Sequence, residues 1–191
     1  MTPRARPMTP EDRREALVDA TIPLLHEHGR SVTTKLIADA AGVAEGTIFR
    51  VFESKDELVD AALDHAFDDT PFLAGLRDID PDQTLRDLVR AIVELFQDRY
   101  RGIFGLMTAV GMAAPPRDRQ NLRPGLEEAV RIMTDLIAPH AAELAVPVEE
   151  FVHITRLLTF SGSHPHVCAG RTLTAEEIVT TVLDGLHRKD S

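Results

Sequence analysis

Residues 33–57, TTKLIADAAGVAEGTIFRVFESKDE, hold two short helical patterns, Thr34–Ala40 and Glu45–Phe52, separated by the turn Ala41-Gly42-Val43. Gly42 can take the turn conformation that a residue with a Cβ would resist. Ser54-Lys55-Asp56-Glu57 then reads as an S-x-x-E capping box opening a further helix. Two short helices around a three-residue turn containing Gly form a helix-turn-helix, and the second of them would lie in the major groove of DNA.

Thr33 is the expected cap of the first of these helices, whose inner face is Leu36, Ile37 and Ala40. In the second, Ile48 and Phe52 lie four apart and should pack inward, leaving Glu45, Thr47 and Arg50 outside. Upstream, Thr9-Pro10-Glu11-Asp12 combines a capping Thr, Pro at the first helical position and acids in the first turn. That helix runs to Gly29 with Ala16, Leu17, Ala20, Leu24 and Leu25 at helical spacing, and Pro23 should kink it or leave the Asp19 carbonyl unpaired. The helix opened by Ser54 is expected to end near Phe67, and Asp68-Asp69-Thr70-Pro71 breaks the pattern. A domain boundary is expected there.

Downstream the signals stay helical, with no sustained alternation of period two. Asp80-Pro81-Asp82-Gln83 is expected to start a helix with Leu85, Leu88, Val89, Ile92, Leu95 and Phe96 on its buried stripe. A separate helix is expected over 103–113, ending at Pro115-Pro116. Others are expected within 126–137, over 148–160, and from the Thr174-x-x-Glu177 capping box to about His187. The fold class is therefore all-α, an N-terminal three-helix helix-turn-helix domain plus a C-terminal helical bundle, about nine helices in all.

Composition narrows the function classes. Apolar residues make up 43% and charged residues 27%, an ordinary globular mixture. The single cysteine, Cys168, excludes an intrachain disulfide framework and suits a reducing cytoplasm. No apolar run is long enough to span a bilayer, and the N-terminus lacks the apolar core of a signal peptide, so no membrane partner is expected. The net charge of −10 would seem to disfavour nucleic acid. It lies wholly outside residues 1–55, which carry eight Lys/Arg and eight Asp/Glu, so the remaining residues carry 13 against 23. A neutral head can bind DNA if its cations gather on one face. Enzyme signatures are missing: there is no G-x-S-x-G, H-E-x-x-H, P-loop or G-x-G-x-x-G. His164-x-His166-x-Cys168 does not have a common zinc spacing and reads as a loop, so neither a metal nor a cofactor is expected.

The register Ile37-Ala38, Ala41-Gly42-Val43, Gly46-Thr47-Ile48-Phe49-Arg50-Val51-Phe52 and Lys55-Asp56-Glu57-Leu58 resembles the DNA-reading head of the TetR family of transcriptional regulators. The resemblance spans roughly residues 11–67. It implies a flexible arm over 1–8, with Arg4 and Arg6 able to reach the duplex, a DNA-binding domain over 9–67, and a ligand-binding and dimerisation domain over 68–191. It also implies phosphate contacts from Thr33, Thr34 and Lys35, a reading face of Ala44, Glu45, Gly46, Thr47, Phe49 and Arg50, and a phosphate anchor at Lys55. Arg50 is the candidate for direct readout, since Arg pairs bidentately with guanine, the alternative being a phosphate contact only.

Three positions depart from the family pattern: Phe49 stands for Tyr, Val51 for His or Tyr, and Ala44 for a capping Ser. They imply fewer backbone contacts and a shallower salt dependence. For the body, the resemblance implies a small-molecule pocket, with Phe72, Phe96, Tyr100, Phe104, Met107, Met112 and Phe151 as candidates that also suit a plain core. It further implies a homodimer interface on the last two helices, from Leu157, Leu158, Ile178, Val179, Val182, Leu183 and Leu186. The expected protein is a cytoplasmic homodimeric repressor of a palindromic double-stranded DNA operator, released by a small-molecule effector. The alternative is a small-molecule-binding helical dimer with weakened or lost DNA binding.

Overall fold

The computed structural model describes residues 9–112 and 123–186; of Arg123, Pro124 and Leu186 it describes the backbone only. Arg4 and Arg6 lie outside the described residues, as does Pro115-Pro116. Eight α-helices are present among the described residues, and no β-strand. They are α1 (Pro10–His28), α2 (Thr34–Ala41), α3 (Lys55–Ala66), α4 (Thr70–Arg77), α5 (Leu85–Ala109), α6 (Arg123–Ile137), α7 (Val148–Ser163) and α8 (Ala175–Leu186). No helix among the described residues is long and apolar enough to cross a membrane.

The chain forms two compact units. The first, the head, runs to Asp68 and includes the segment from Gly105 at the end of α5; the second, the body, holds Asp69–Phe104 and the chain from α6 onward. In the head, α1 packs on α2 and α3 around Leu17, Leu25, Val32, Ile37, Ile48, Phe52, Leu58 and Ala62, all essentially without solvent contact. Thr9 and Asp12 close a reciprocal capping box at the start of α1. Pro23 neither ends nor splits that helix, because it stands on the exposed side, as does Asp19, where water can take the freed carbonyl. The α1 terminus is set by Gly29 at φ +55°, where an added Cβ would come within 2.2 Å of the Ala109 carbonyl oxygen.

The body core is built from α5 (Leu88, Val89, Ile92, Phe96), α6 (Ile132, Met133), α7 (Phe151, Val152) and α8 (Ile178, Val179, Val182, Leu183), with Leu76 of α4. α7 also buries a polar stripe, which the helix satisfies by itself. Thr155, Thr159 and Ser163 donate to the carbonyls four residues back, of Phe151, Thr155 and Thr159, at 2.8, 2.7 and 2.6 Å. Buried Gln97 of α5 donates to the Leu173 carbonyl at 2.8 Å, tying α5 to the segment before α8.

The expected break after Phe67 is present but short: α3 ends at Ala66, α4 starts at Thr70, and Pro71 falls in its first turn, where its missing N–H has no partner to lose. Other sequence expectations are corrected. Asp80–Gln83 is not a helix start but a turn, in which the Asp80 carboxylate accepts from the Asp82 amide at 3.0 Å, and α5 begins after Thr84, whose hydroxyl accepts from the Asp87 amide at 3.2 Å. The helices expected over 80–96 and 103–113 are one helix of 25 residues. Gly102 and Gly105 lower its propensity without stopping it. It ends at Gly111, φ +70°, with the Met112 and Gly111 amides donating to the carbonyls of Met107 (2.8 Å) and Thr108 (3.2 Å), a Schellman closure.

Candidate nucleic-acid interface and ligand cavity

The head's turn is made by local chemistry. The Thr33 hydroxyl accepts from the Leu36 amide at 3.2 Å and caps α2. At the other end Gly42 is left-handed (φ +66°), and the Val43 amide donates to the Ala38 carbonyl at 3.0 Å. That is again a Schellman closure, and it turns the chain sharply into Glu45–Arg50. Those six residues form a 3-10 helix instead of the expected α-helix. Ala44 offers no side-chain cap, so its carbonyl is drawn into a tight bond from the Thr47 amide at 2.7 Å. The expected inward pair holds: Ile48 is fully buried and Phe52 is 2% exposed.

Thr33, Lys35, Ala44, Glu45, Gly46, Phe49 and Arg50 are exposed, while Thr34, Thr47 and Lys55 are half-buried. Phe49 presents 55% of its surface to solvent, a large apolar ring with no intrachain reason to be outside. The side chains at the turn are partly committed. The Thr34 hydroxyl donates to the Glu45 carboxylate at 2.5 Å, clipping the start of α2 to the start of the 3-10 helix. The Lys55 ammonium donates to the carbonyls of Arg30 (3.1 Å) and Val32 (3.2 Å), so it first holds α3 to the loop after α1. A phosphate would have to share it.

Other head cations are also engaged. Arg14 lies 4.3 Å over the Phe52 ring and 3.9 Å from Glu57, and Arg30 is 3.9 Å from Asp60. Among the described residues Lys35 and Arg50 have no ion-pair partner, and both stand on or beside the turn. The result is an exposed surface with two available cations, an apolar ring and, at Gly46, backbone without a side chain; an added Cβ there would meet nothing within 4 Å.

The body holds a cavity of about 190 Å³ between α4, α5, α6 and α7, open to solvent on the side of Leu126 and Phe160. Of the sequence candidates, Phe72, Phe96 and Tyr100 line it. Phe104 is one layer away, stacked on Tyr100 at 5.7 Å. Phe151 is corrected to core, 1% exposed among Val89, Ile92 and Met133. Met107 and Met112 belong with the head, so they are removed from the cavity set. The sequence reading missed Arg99, Ile103, Leu126, Ala129, Arg156 and Phe160. A signal existed: Phe96, Arg99, Tyr100 and Ile103 recur at helical spacing on one face of α5. Arg99 is bound to Asp69 at 2.8 Å. Burial pushes the Tyr100 phenol up to about 12, with the Arg156 charge pulling the other way, so the hydroxyl stays protonated and able to donate.

The interface set on the last helices also needs correction. Ile178, Val179, Val182 and Leu183 are at most 4% exposed and pack into the core of their own chain. A helix cannot offer the same side chains to a partner. Leu158 is half-buried against that core, Leu157 is 44% exposed, and the Leu186 side chain lies outside the described residues. In the segment between α7 and α8, the Cys168 thiol donates to the Ser161 carbonyl at 3.0 Å and His164 packs on Phe104, with ring centroids 4.4 Å apart.

Residues 17–62 match the profile described as "Bacterial regulatory proteins, tetR family". The regulator YvkB of Bacillus subtilis (strain 168), an uncharacterized HTH-type transcriptional regulator, is 47% identical over 57 residues, 29% of each chain. The HTH-type transcriptional repressor KstR2 of Rhodococcus jostii (strain RHA1) is 41% identical over 58 residues, 30% of this chain and 28% of that protein. The match thus spans under a third of the length of these relatives. Over nearly the whole length, the crystal structure of the transcriptional regulator FadR from Bacillus subtilis in complex with stearoyl-CoA shares the fold, with a TM-score of 0.59 and 16% identity across 91% of this chain and 99% of that one. The turn geometry and the matched profile make residues 17–62 a head of the tetR family of bacterial regulatory proteins, and the chain as a whole shares the all-helical fold of that crystal structure.

Proposed function

We propose that the protein is a ligand-responsive, sequence-specific DNA-binding transcriptional regulator, a repressor that holds a palindromic operator as a homodimer. The observation that carries the reading is the exposed turn bearing Lys35 and Arg50 without carboxylate partners and Phe49 without cover. Charged groups at the turn position the head on phosphates, and Arg50 reads a guanine edge. Two copies related by a two-fold axis supply two half-sites at fixed spacing. The solvent side of α7, where Leu157 is exposed, is the surface available for that pairing. A small molecule in the body cavity releases the DNA by favouring a conformer whose heads no longer fit the half-sites. Its effect is limited by its differential affinity for the two states.

Fluorescence anisotropy with the DNA upstream of the protein's own coding sequence tests this. The wild type is expected to prefer that duplex over a scrambled one, and Arg50→Ala to lose discrimination worth about 1–3 kcal/mol. No preference by the intact wild type at low salt would remove the regulator reading. It would favour the second one, a small-molecule-binding helical dimer with weakened DNA binding, for which the uncapped Ala44 and the committed Lys55 ammonium speak.

A further inference from the structure

Arg156 lines the body cavity from α7, four residues before Phe160. Its Nε–H is buried and has no hydrogen-bond acceptor, and no carboxylate pairs with its guanidinium among the described residues. The acid on the cavity wall, Asp69, is neutralised there by Arg99, also of the wall, at 2.8 Å, so Arg156 is the wall cation left without a carboxylate. A buried guanidinium N–H without an acceptor is costly, so the site favours any guest that brings one. The Tyr100 hydroxyl on the same wall has no hydrogen bond either among the described residues, and it stays a donor.

Apart from the Asp69–Arg99 pair and Gly125, the remaining lining is apolar and largely aromatic: Phe72, Phe96, Phe160, Ile103, Leu126 and Ala129. Phe72 and Phe96 meet edge to face at 4.8 Å, and Tyr100 and Phe160 at 5.3 Å, so ring faces and edges are both on offer. Size then restricts the guest. A benzene-sized molecule fills an apolar cavity of about 150 Å³, whereas drug-sized ligands occupy about 300–1,000 Å³. At about 190 Å³ the cavity holds one ring and one small polar group.

Building on the regulator reading, we propose that the effector is a compact aryl carboxylate, its ring held among Phe72, Phe96 and Phe160 and its carboxylate bound by Arg156. The guanidinium edge formed by Nε–H and one Nη–H matches two carboxylate oxygens side by side. The Tyr100 hydroxyl donates to the same group. A neutral guest of the same shape leaves the guanidinium less well matched, which is the source of the selectivity.

The test uses benzoate and its neutral isostere benzamide, titrated calorimetrically into the full-length protein at pH 7. Benzoate is expected to saturate one site per chain and to bind at least about tenfold more tightly than benzamide. Arg156→Met, close in volume, should bring the two probes within about threefold of each other. Leu126→Trp, at a position already 38% exposed, should block both probes without loss of helical circular dichroism. Equal affinity for the two probes, no benzoate binding at millimolar concentration, a preference that survives Arg156→Met, or benzoate binding untouched by Leu126→Trp would each overturn the assignment. A parallel anisotropy measurement on the upstream DNA separates the two ideas. DNA binding without benzoate binding sinks the aryl carboxylate and leaves the regulator. Benzoate selectivity without DNA binding does the reverse, and release of DNA by benzoate supports both.

Discussion

At the scale of single residues, Glu128 is a carboxylate of the body held between two guanidinium groups. Arg131 of the same helix grips it through Nε at 3.0 Å and Nη2 at 2.6 Å, and Arg77 of α4 reaches it at 2.6 Å. These bonds hold its carboxyl at about 2, well below the usual carboxylate range. A carboxylate depressed on folding stabilises fully above its unfolded value, near 4.5, and that contribution fades as pH falls toward about 2. Glu128→Gln should therefore melt below the wild type at pH 7 and lose less further stability between pH 5 and 2. Thermal melts across that range check it, and parallel curves for the two proteins would refute the clamp. The same scale explains why Lys35 and Arg50 stand out in the head: Arg14, Arg30 and Lys55 have carboxylate, ring or carbonyl partners, so a phosphate or base does not have to win Lys35 and Arg50 from such groups.

At the scale of elements, the head depends on how its helices end. Gly29 combines a positive φ with a carbonyl in the way of any Cβ, that of Ala109 in the last turn of α5. Gly29→Ala should cost about 1–3 kcal/mol, seen as a lowered denaturation midpoint with an unchanged slope. Gly42→Ala is a useful contrast: its φ is also positive, but an added Cβ would meet nothing, so only backbone strain is incurred and the loss should be smaller. A Gly29→Ala effect no larger than that of Gly42→Ala would mean that the Ala109 contact can yield. The 3-10 geometry of Glu45–Arg50 also belongs to this scale. With three residues per turn, Gly46 and Phe49 lie one above the other, and so do Thr47 and Arg50, which groups the exposed ring with bare backbone and the cation with the hydroxyl.

At the scale of the whole molecule, the charge is divided rather than averaged. Residues 1–55, which include the turn, are balanced and the remainder carries the net −10, which discourages nonspecific wrapping of DNA. In the proposed dimer, Lys35 and Arg50 of each head bring four cations to the duplex and displace about four counterions. The expected slope of log K against log salt is then about −4, since each contact contributes about −0.9. A slope near −9, as for a binder with ten contacts, would show that Lys55, the N-terminal arginines or other groups are recruited on DNA.

Sequence alone determined whatever rests on chemistry within a few residues. The Gly42 turn, the Thr9 and Thr174 capping boxes and the Ile48–Phe52 inner pair were legible because cap, left-handed glycine and helical spacing act locally. The box at Ser54 was legible with one shift: the Glu57 carboxylate reaches the Glu53 amide, one residue earlier than the pattern specifies. Tertiary structure alone decided the rest. Leu85–Ala109 became one helix because nothing between Phe96 and Ile103 forbids continuation, and only packing could show that Gly102 and Gly105 do not interrupt it. The apolar stripe of α8 went to its own core and not to a partner, since an apolar face states that it must be covered but not by what. The same limit hid the cavity: three of its aromatic residues could be named from sequence, but the unmatched Arg156 emerged only once α7 was seated beside α5. Hydrogen bonds of caps and turns are closed by neighbours in the chain, whereas burial and charge matching are properties of segments that meet only in space.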